Sequence, residues 1–389
     1  MFTREKQNVN KFIGLALVLI MLSAALAVLF LSPTKAYAET ASGLQVSDFV
    51  SHSEQNNEYT SFISNQNLAE IKSSLEKSAM SKTDMYKEIY QELGYSNEEI
   101  DKIGIEEINL IMESSIAITV TQQYLSIDED GNQVVLSKEE CLAAANAVNA
   151  KRESELQKRF LQVQSNQFSG QEEASVTEGT VTDGNDDNDA WAIDDTNGYI
   201  KITTRSDYIN PSTVNGQQGW YNFSATYEWL AAPSQAYTDA FSIYAAGCAW
   251  SAGSTDIYSK MSYNYYDLDV YNGETEENYG YNEQERYTQD RTVQSTGVYY
   301  TYSVPESYSY LDVYIGLYFS HQISNLTYYI RAKARVSNYT VPQSFNVYSR
   351  YEHLTKSFNV SVSFDWSIGS WPGVSVTPTV GNNHTAYYS

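Results

Sequence analysis

The sequence predicts an α+β chain: a small helical module carrying one β-hairpin, then an all-β, antiparallel, sandwich-like domain. Three observations lead there. Between Tyr310 and Ser337 apolar residues fall at every second position, first Leu311, Val313, Ile315, Leu317 and Phe319, then Leu326, Tyr328, Ile330, Ala332, Ala334 and Val336. That period belongs to strands with one buried and one wet face. Ahead of residue 167 apolar residues instead recur at three- and four-residue spacing, as on one side of a helix. Residues 167–196 lie between the two regions, acidic, rich in Gly, Ser, Thr and Asn, and without Lys or Arg. Such a tract buries too little apolar surface to offset the entropy of ordering it, so it reads as a flexible linker. The expected organisation is a leader over 1–38, a helical module over 39–166, the linker over 167–196 and a Tyr-rich β domain over 197–389.

The leader has a positive start (Arg4, Lys6, Lys11), an apolar run from Phe12 to Leu31, and Ala36-Tyr37-Ala38. This is the pattern of a secretory signal cut after Ala38. The run over 12–31 is also long enough to span a bilayer if retained, which would anchor the chain to the outer face of the cytoplasmic membrane. Either way the rest of the chain is expected outside the cytoplasm.

In the helical module, Leu68, Ile71 and Leu75 mark one short helix, and Met85, Tyr86, Ile89, Tyr90 and Leu93 a second that stops at Gly94. Ser96 with Glu99 reads as a capping box opening a third. Ile105, Ile108 and Met112 continue the pattern. The period then changes: Ile116–Ile127 is β-branched and Gln133–Leu136 is a return strand, with Asp130-Gly131 as the turn. Ser137 with Glu140 caps a long last helix carrying Leu142, Ala145, Val148, Leu156, Phe160 and Val163. The turn also holds Asp128, Asp130 and Asn132, with Glu139 at the twelfth position, a partial calcium-loop spacing. Position six is Gln133 where such loops need Gly, so a plain hairpin accounts for the same residues. Calcium through these four side chains is the one cofactor the sequence suggests.

In the β domain, strands are expected over Tyr199–Arg205, Trp220–Leu230, Ala240–Trp250, Lys260–Tyr271, Gly297–Val304, Tyr310–Ser320, Asn325–Ser337, Ser344–Arg350, Phe358–Ile368 and Val374–Thr377. His321–Asn325 is expected as the turn of a hairpin, and Glu274–Tyr287 as an acidic mobile loop. Arg331, Lys333 and Arg335 share one face and read as charges guarding an edge strand.

The formal net charge of −24 argues against nucleic acid, whose phosphates call for Lys and Arg. Two cysteines, Cys141 and Cys248, are too few for a disulfide framework, and each reads as a small buried hydrophobe. Neither H-E-x-x-H nor G-x-S-x-G occurs, and the phosphate- and dinucleotide-binding glycine motifs are absent too. Glu228 and Asp365 each precede a tryptophan, an arrangement suited to glycan hydrolysis, but alternation puts both on the solvent face of strands whose Trp points inward. No catalytic residue is assigned.

The 34 tyrosines are the outlier in composition. Trp220, Tyr310, Tyr314, Tyr318 and Trp371 are the candidate ligand-binding residues, because exposed planar rings on a sheet stack on sugars or pack into a protein partner. In outline the order of segments resembles that of exported Gram-positive proteins. The expectation is a secreted or envelope-associated, non-enzymatic protein whose sandwich binds an extracellular glycan or protein. The alternatives are a glycan-active hydrolase and a membrane-active effector that inserts amphipathic strands.

Overall fold

The computed structural model describes residues 45–75, 80–128, 132–168, 197–232, 238–245, 248–251, 253, 256–271, 274–287, 292–294, 297–303, 305, 307–312, 317–336, 344–354 and 382–387. The leader, the tract 169–196, the strands expected over 358–368 and 374–377, and Asp130, Tyr314, Asp365 and Trp371 lie outside them. Strands β1 (Ser51–Gln55) and β2 (Glu58–Ile63) come first, then helices α1 (Asn65–Leu75), α2 (Lys82–Glu92), α3 (Asn97–Ile103) and α4 (Ile105–Ser114). Strands β3 (Ser115–Ile127) and β4 (Gln133–Leu136) lead to α5 (Lys138–Phe168). The remaining strands are β5 (Gly198–Ile209), β6 (Trp220–Ala231), β7 (Thr238–Ala245), β8 (Cys248–Trp250), β9 (Ile257–Tyr271), β10 (Glu274–Tyr287), β11 (Thr292–Gln294), β12 (Gly297–Ser303), β13 (Tyr308–Asp312), β14 (Leu317–Val336), β15 (Ser344–Leu354) and β16 (Asn382–Tyr387).

Local chemistry sets the helices as expected. Ser81 accepts the Asp84 N–H and starts α2, and Ser96 and Glu99 form a complete capping box on α3. Gly94, at φ +94°, ends the turn after α2 in a conformation that a side chain disfavours. Ser137 and Glu140 exchange the same pair of capping bonds at the start of α5.

Among the described residues the chain is mostly antiparallel β with a few helices, and two sheets face each other in a sandwich-like arrangement. The larger runs β1-β2-β3-β5-β6-β14-β9-β10, with β4 on β3 and both β8 and β13 on β14. The smaller runs β11-β12-β7-β15-β16. Between them lies one core, in which Phe223, Tyr227, Trp229, Met261, Tyr328 and Ile330 meet Phe241, Ile243, Tyr300, Tyr302, Val347 and Tyr351. Phe241 stacks on Tyr302 at 5.6 Å, and Tyr227 donates its hydroxyl to the Ser242 carbonyl at 2.8 Å. The inward row of β6 anticipated by alternation, Tyr221, Phe223, Ala225, Tyr227 and Trp229, is buried as a unit.

The composition boundary at 167–196 divides the chain but not the sheet. β3, from the helical segment, pairs with β5 over Ser115–Ile127 and Gly198–Ile209, so the larger sheet draws on both sides of that tract. Helices α1–α4 cover its other face through Leu68, Ile71, Tyr86, Ile89, Tyr90, Ile108, Ile111 and Met112, packed with Ile118, Val120, Tyr258 and Tyr329 of the strands. The polar rows expected to face water therefore lie under helices. Lys201, Thr203, Arg205 and Asp207 of β5, Asn222, Ser224 and Thr226 of β6, and Arg331 of β14 are all buried. Their charges are matched from above or along the strand, as buried ions must be. Glu107 of α4 pairs with the Arg331 guanidinium and accepts the Tyr329 hydroxyl at 3.1 Å. Arg205 pairs with Asp207 at 2.8 Å and lies 4.2 Å from the Tyr90 ring.

Three sequence expectations are corrected here. His321–Asn325 is not a turn: β14 runs unbroken through it, beside β9 from Leu317 to Ala332. The register shifts by one residue between Ser324 and Thr327, with Asn325 at φ +53°. One inserted residue moves the inward positions from odd to even numbers, which is the phase change in the sequence. On its other side, Leu317–His321 pairs antiparallel with β13. Glu274–Tyr287 is not a loop but β10, paired with β9 over its whole length. Arg331, Lys333 and Arg335 do not guard an edge, since β14 has β6 on one side and β9 with β8 on the other.

Candidate ligand-binding surface

The aromatic residues exposed among the described ones gather on one ribbon: Tyr271 of β9 and Tyr279, Tyr281 and Tyr287 of β10, with Tyr279 the most open at 69%. β10 ends the larger sheet, and most of its residues are exposed. Alternation places Glu277, Tyr279, Tyr281, Glu283, Glu285 and Tyr287 on the face shared with the helices, opposite Leu268, Tyr266, Asn264, Ser262, Lys260 and Tyr258 of β9. On this face each exposed ring is joined to a carboxylate two residues away. Tyr279 donates to Glu277 at 2.9 Å, Tyr281 to Glu283, and Tyr287 to Glu285 at 2.7 Å. Tyr258 donates to the other oxygen of Glu285 at 2.6 Å. The row is a ladder of rings and carboxylates at a spacing of about 7 Å, two residues of strand.

Electrostatics favour the ionised form of Glu285 and the neutral form of the rings. The hydroxyls of Tyr258 and Tyr287 hold the Glu285 carboxyl below its ordinary value. Partial burial, then the bond to Glu283, pushes Tyr281 up, and the bond to Glu285 does the same for Tyr287. The rings stay neutral donors. Two lysines of the chain already rest on this row: Lys102 of α3 sits 4.2 Å from the Tyr281 ring centre, and Lys260 pairs with Glu283 at 3.0 Å. Lys102 also donates to Asn264 Oδ1 at 2.7 Å, and burial lowers its ammonium to about 8.

The reverse face of the ribbon is set by a glycine. A Cβ on Gly280 would lie 2.1 Å from Cζ of Tyr265, so this ring lies directly over the bare backbone. Beside it Asn282 donates to the Tyr263 hydroxyl at 2.8 Å, and Arg286 covers the Tyr302 ring at 4.4 Å.

Of the residues singled out from sequence, those described lie on separate elements. Trp220 opens β6 half-buried, its indole N–H on Gln217 Oε1 at 3.2 Å and Lys333 over its ring at 5.3 Å. Two strands of the sheet, β14 and β9, separate it from β10. Tyr310 lies in β13 opposite Phe319. Tyr318, expected on a solvent face, is 3% exposed and packs with Val270 and Leu268. Of the calcium-loop residues, Asp128 accepts both the backbone N–H and the side-chain amide of Asn132, at 2.8 and 2.9 Å, and Glu139 is exposed in the first turn of α5. Among the described residues no group of three or more His, Cys, Asp or Glu side chains is placed to hold a metal ion.

Glu228 is the largest departure from its expected place. It lies largely buried beneath α3, its Oε1 accepting the Ser96 hydroxyl at 3.0 Å and its Oε2 lying 3.7 Å from Lys201 Nζ. Lys201 pairs with Glu99 at 2.5 Å and donates to the Gly94 carbonyl at 3.1 Å. Burial, then the Glu99 carboxylate, pushes the Glu228 carboxyl up to about 7. Away from this cluster a cavity of about 400 Å³ opens beside Lys72, which donates to the Met112 and Ser115 carbonyls at 2.6 Å and whose amine burial lowers to about 8.

No protein-family description matches the chain, and no curated sequence does. A solved structure, the collagen-binding domain from a Staphylococcus aureus adhesin, aligns at 12% identity over 44% of this chain and 89% of that domain, with a TM-score of 0.16. At that TM-score the likeness carries no argument about fold or function. Among the described residues no helix is long and apolar enough to cross a membrane.

Proposed function

We propose that the chain is the binding part of an exported, non-enzymatic protein, and that it meets its glycan or protein ligand on the ring-and-carboxylate face of β9–β10. One observation carries this reading: Tyr279, Tyr281 and Tyr287 are exposed on a single ribbon face, each oriented by a neighbouring glutamate. Tyrosines held in this way offer flat contact area at little loss of side-chain freedom, and the carboxylates add hydrogen-bond acceptors. Hydrolysis is less well supported, because Glu228 is closed over by Ser96 and Lys201 instead of lining a cleft. Export is read from the charged and apolar leader.

The test is a screen of the full chain against cell-wall, plant and host glycans and extracellular proteins, with calcium and with chelator. Binding that falls at least about tenfold in Tyr279→Ser/Tyr281→Ser, with no product released, is the expected result. Binding unchanged by that pair of substitutions moves the site elsewhere. Release of sugar, lost in Glu228→Gln, replaces the reading with a hydrolase.

A further inference from the structure

We infer that the edge of β10 with which no described strand pairs takes an extended Lys/Arg-rich polypeptide segment as an added strand, its cations seated on the tyrosine–glutamate row. The inference rests on the reading of β9–β10 as the binding surface and names the partner's chemistry.

The first ground is backbone. β10 spans 14 residues with β9 along one side, and no described strand pairs with the other side of Glu274–Arg286. A long strand edge of this kind presents a row of main-chain donors and acceptors that another extended chain satisfies. The second is charge. β10 carries Glu274, Glu276, Glu277, Glu283 and Glu285 against Arg286 alone, in a chain of net charge −24. A second copy pairing with this edge would set glutamate near glutamate, which disfavours self-association. A strand of opposite sign meets no such repulsion and is steered towards it.

The third ground is a precedent inside the molecule. Lys102 over Tyr281 and Lys260 on Glu283 already satisfy this row with ammonium groups, one by a ring face and one by a carboxylate. Tyr279 and Glu277 repeat the same pair further along the strand, where Tyr279 is 69% exposed. An added strand with a cation at every second residue projects its charges at the same spacing of about 7 Å.

The experiment titrates the full chain with a labelled synthetic peptide alternating Lys and Thr. The controls are the Gln–Thr analogue and the Lys–Thr peptide N-methylated at alternate residues. The expected result is binding at least about tenfold tighter for Lys–Thr than for either control, weakening with salt and falling again in Glu276→Gln/Glu277→Gln/Tyr279→Ser. Equal affinity for the N-methylated peptide overturns strand addition, leaving charge alone. Self-association of the protein, abolished by the same triple variant, overturns the exclusion of a second copy. Glycan capture without peptide binding sinks this inference and keeps the broader reading, whereas no binding of any kind sinks both.

Discussion

The Ser96 hydroxyl donates to Glu228 Oε1 at 3.0 Å, joining the N-cap of α3 to the C-terminal part of β6 across 132 positions of chain. The same serine caps α3 by accepting the Glu99 N–H, and Glu99 in turn binds Lys201. One capping box thus fastens the helical layer to the sheet and encloses two carboxylates with one ammonium. Burial, and then the second carboxylate of a cluster that holds only one ammonium, pushes the Glu228 carboxyl up.

That arrangement predicts a pH slope. The Glu228 carboxyl is raised from 4.5 to about 7 on folding. Between those values the native state keeps a proton that the unfolded chain has released, so stability falls as pH rises from 4.5 to about 7 and levels off above. Lys201 is held above its ordinary value and contributes no slope in this window. Glu228→Gln keeps an acceptor for Ser96 and removes the penalty. It is expected to be more stable than the parent above pH 7, by up to about 3 kcal/mol, with the gain vanishing below 4.5. Urea unfolding across this range checks it, and a gain that persists at the acid end would contradict it.

The Glu107–Arg331 pair predicts an asymmetry. Both side chains are largely buried, so Glu107→Ala takes the paired carboxylate away from a buried guanidinium and costs about 3–5 kcal/mol. The double variant Glu107→Ala/Arg331→Met removes the buried guanidinium as well and is expected to recover most of the loss. Denaturant midpoints of both variants decide, and equal destabilisation would mean the pair is not the anchor of α4.

Much of this architecture is legible in the sequence, and the failures have physical causes. Alternation identified the inward row of β6, and capping residues located the starts of α3 and α5. What alternation cannot say is what covers the polar row: Lys201, Arg205 and Arg331 look solvent-facing by period, yet helices carrying Glu99 and Glu107 lie over them. The change from odd to even apolar positions around residue 325 was visible, but a turn and a one-residue bulge produce the same signal, and Asn325 at φ +53° suits either. The hairpin β1–β2 has its own mark in Asn56 and Asn57, both at positive φ, between strands too polar to stand out. The candidate surface was hidden by its charge. Five glutamates in β10 look like a loop until β9 supplies every backbone partner along one side.

Cys141 and Cys248 are both buried and unpaired, and burial raises each thiol to about 12. The thiolate is the reactive form, so both are expected to resist a thiol reagent in native buffer at mildly alkaline pH. Both should react once the chain is unfolded in concentrated guanidinium. Fast reaction of the native protein, or fewer than two thiols after unfolding without reductant, would contradict this arrangement.

Gly94 combines two constraints that a double-mutant cycle separates. Its φ of +94° disfavours any side chain, and a Cβ there would lie 2.7 Å from Gln122 Oε1. Its carbonyl meanwhile accepts from Gln122 Nε2 at 2.7 Å and from Lys201 at 3.1 Å, so displacement of this turn reaches the charge cluster. Gly94→Ala is expected to cost about 2–4 kcal/mol, from backbone strain together with the clash. In a Gln122→Ala background the clash is gone and only strain remains, about 1–2 kcal/mol. The difference is the coupling between the two residues. If the cost is unchanged in that background, the backbone angle alone requires the glycine, and Gln122 simply fills the space a side chain would have taken.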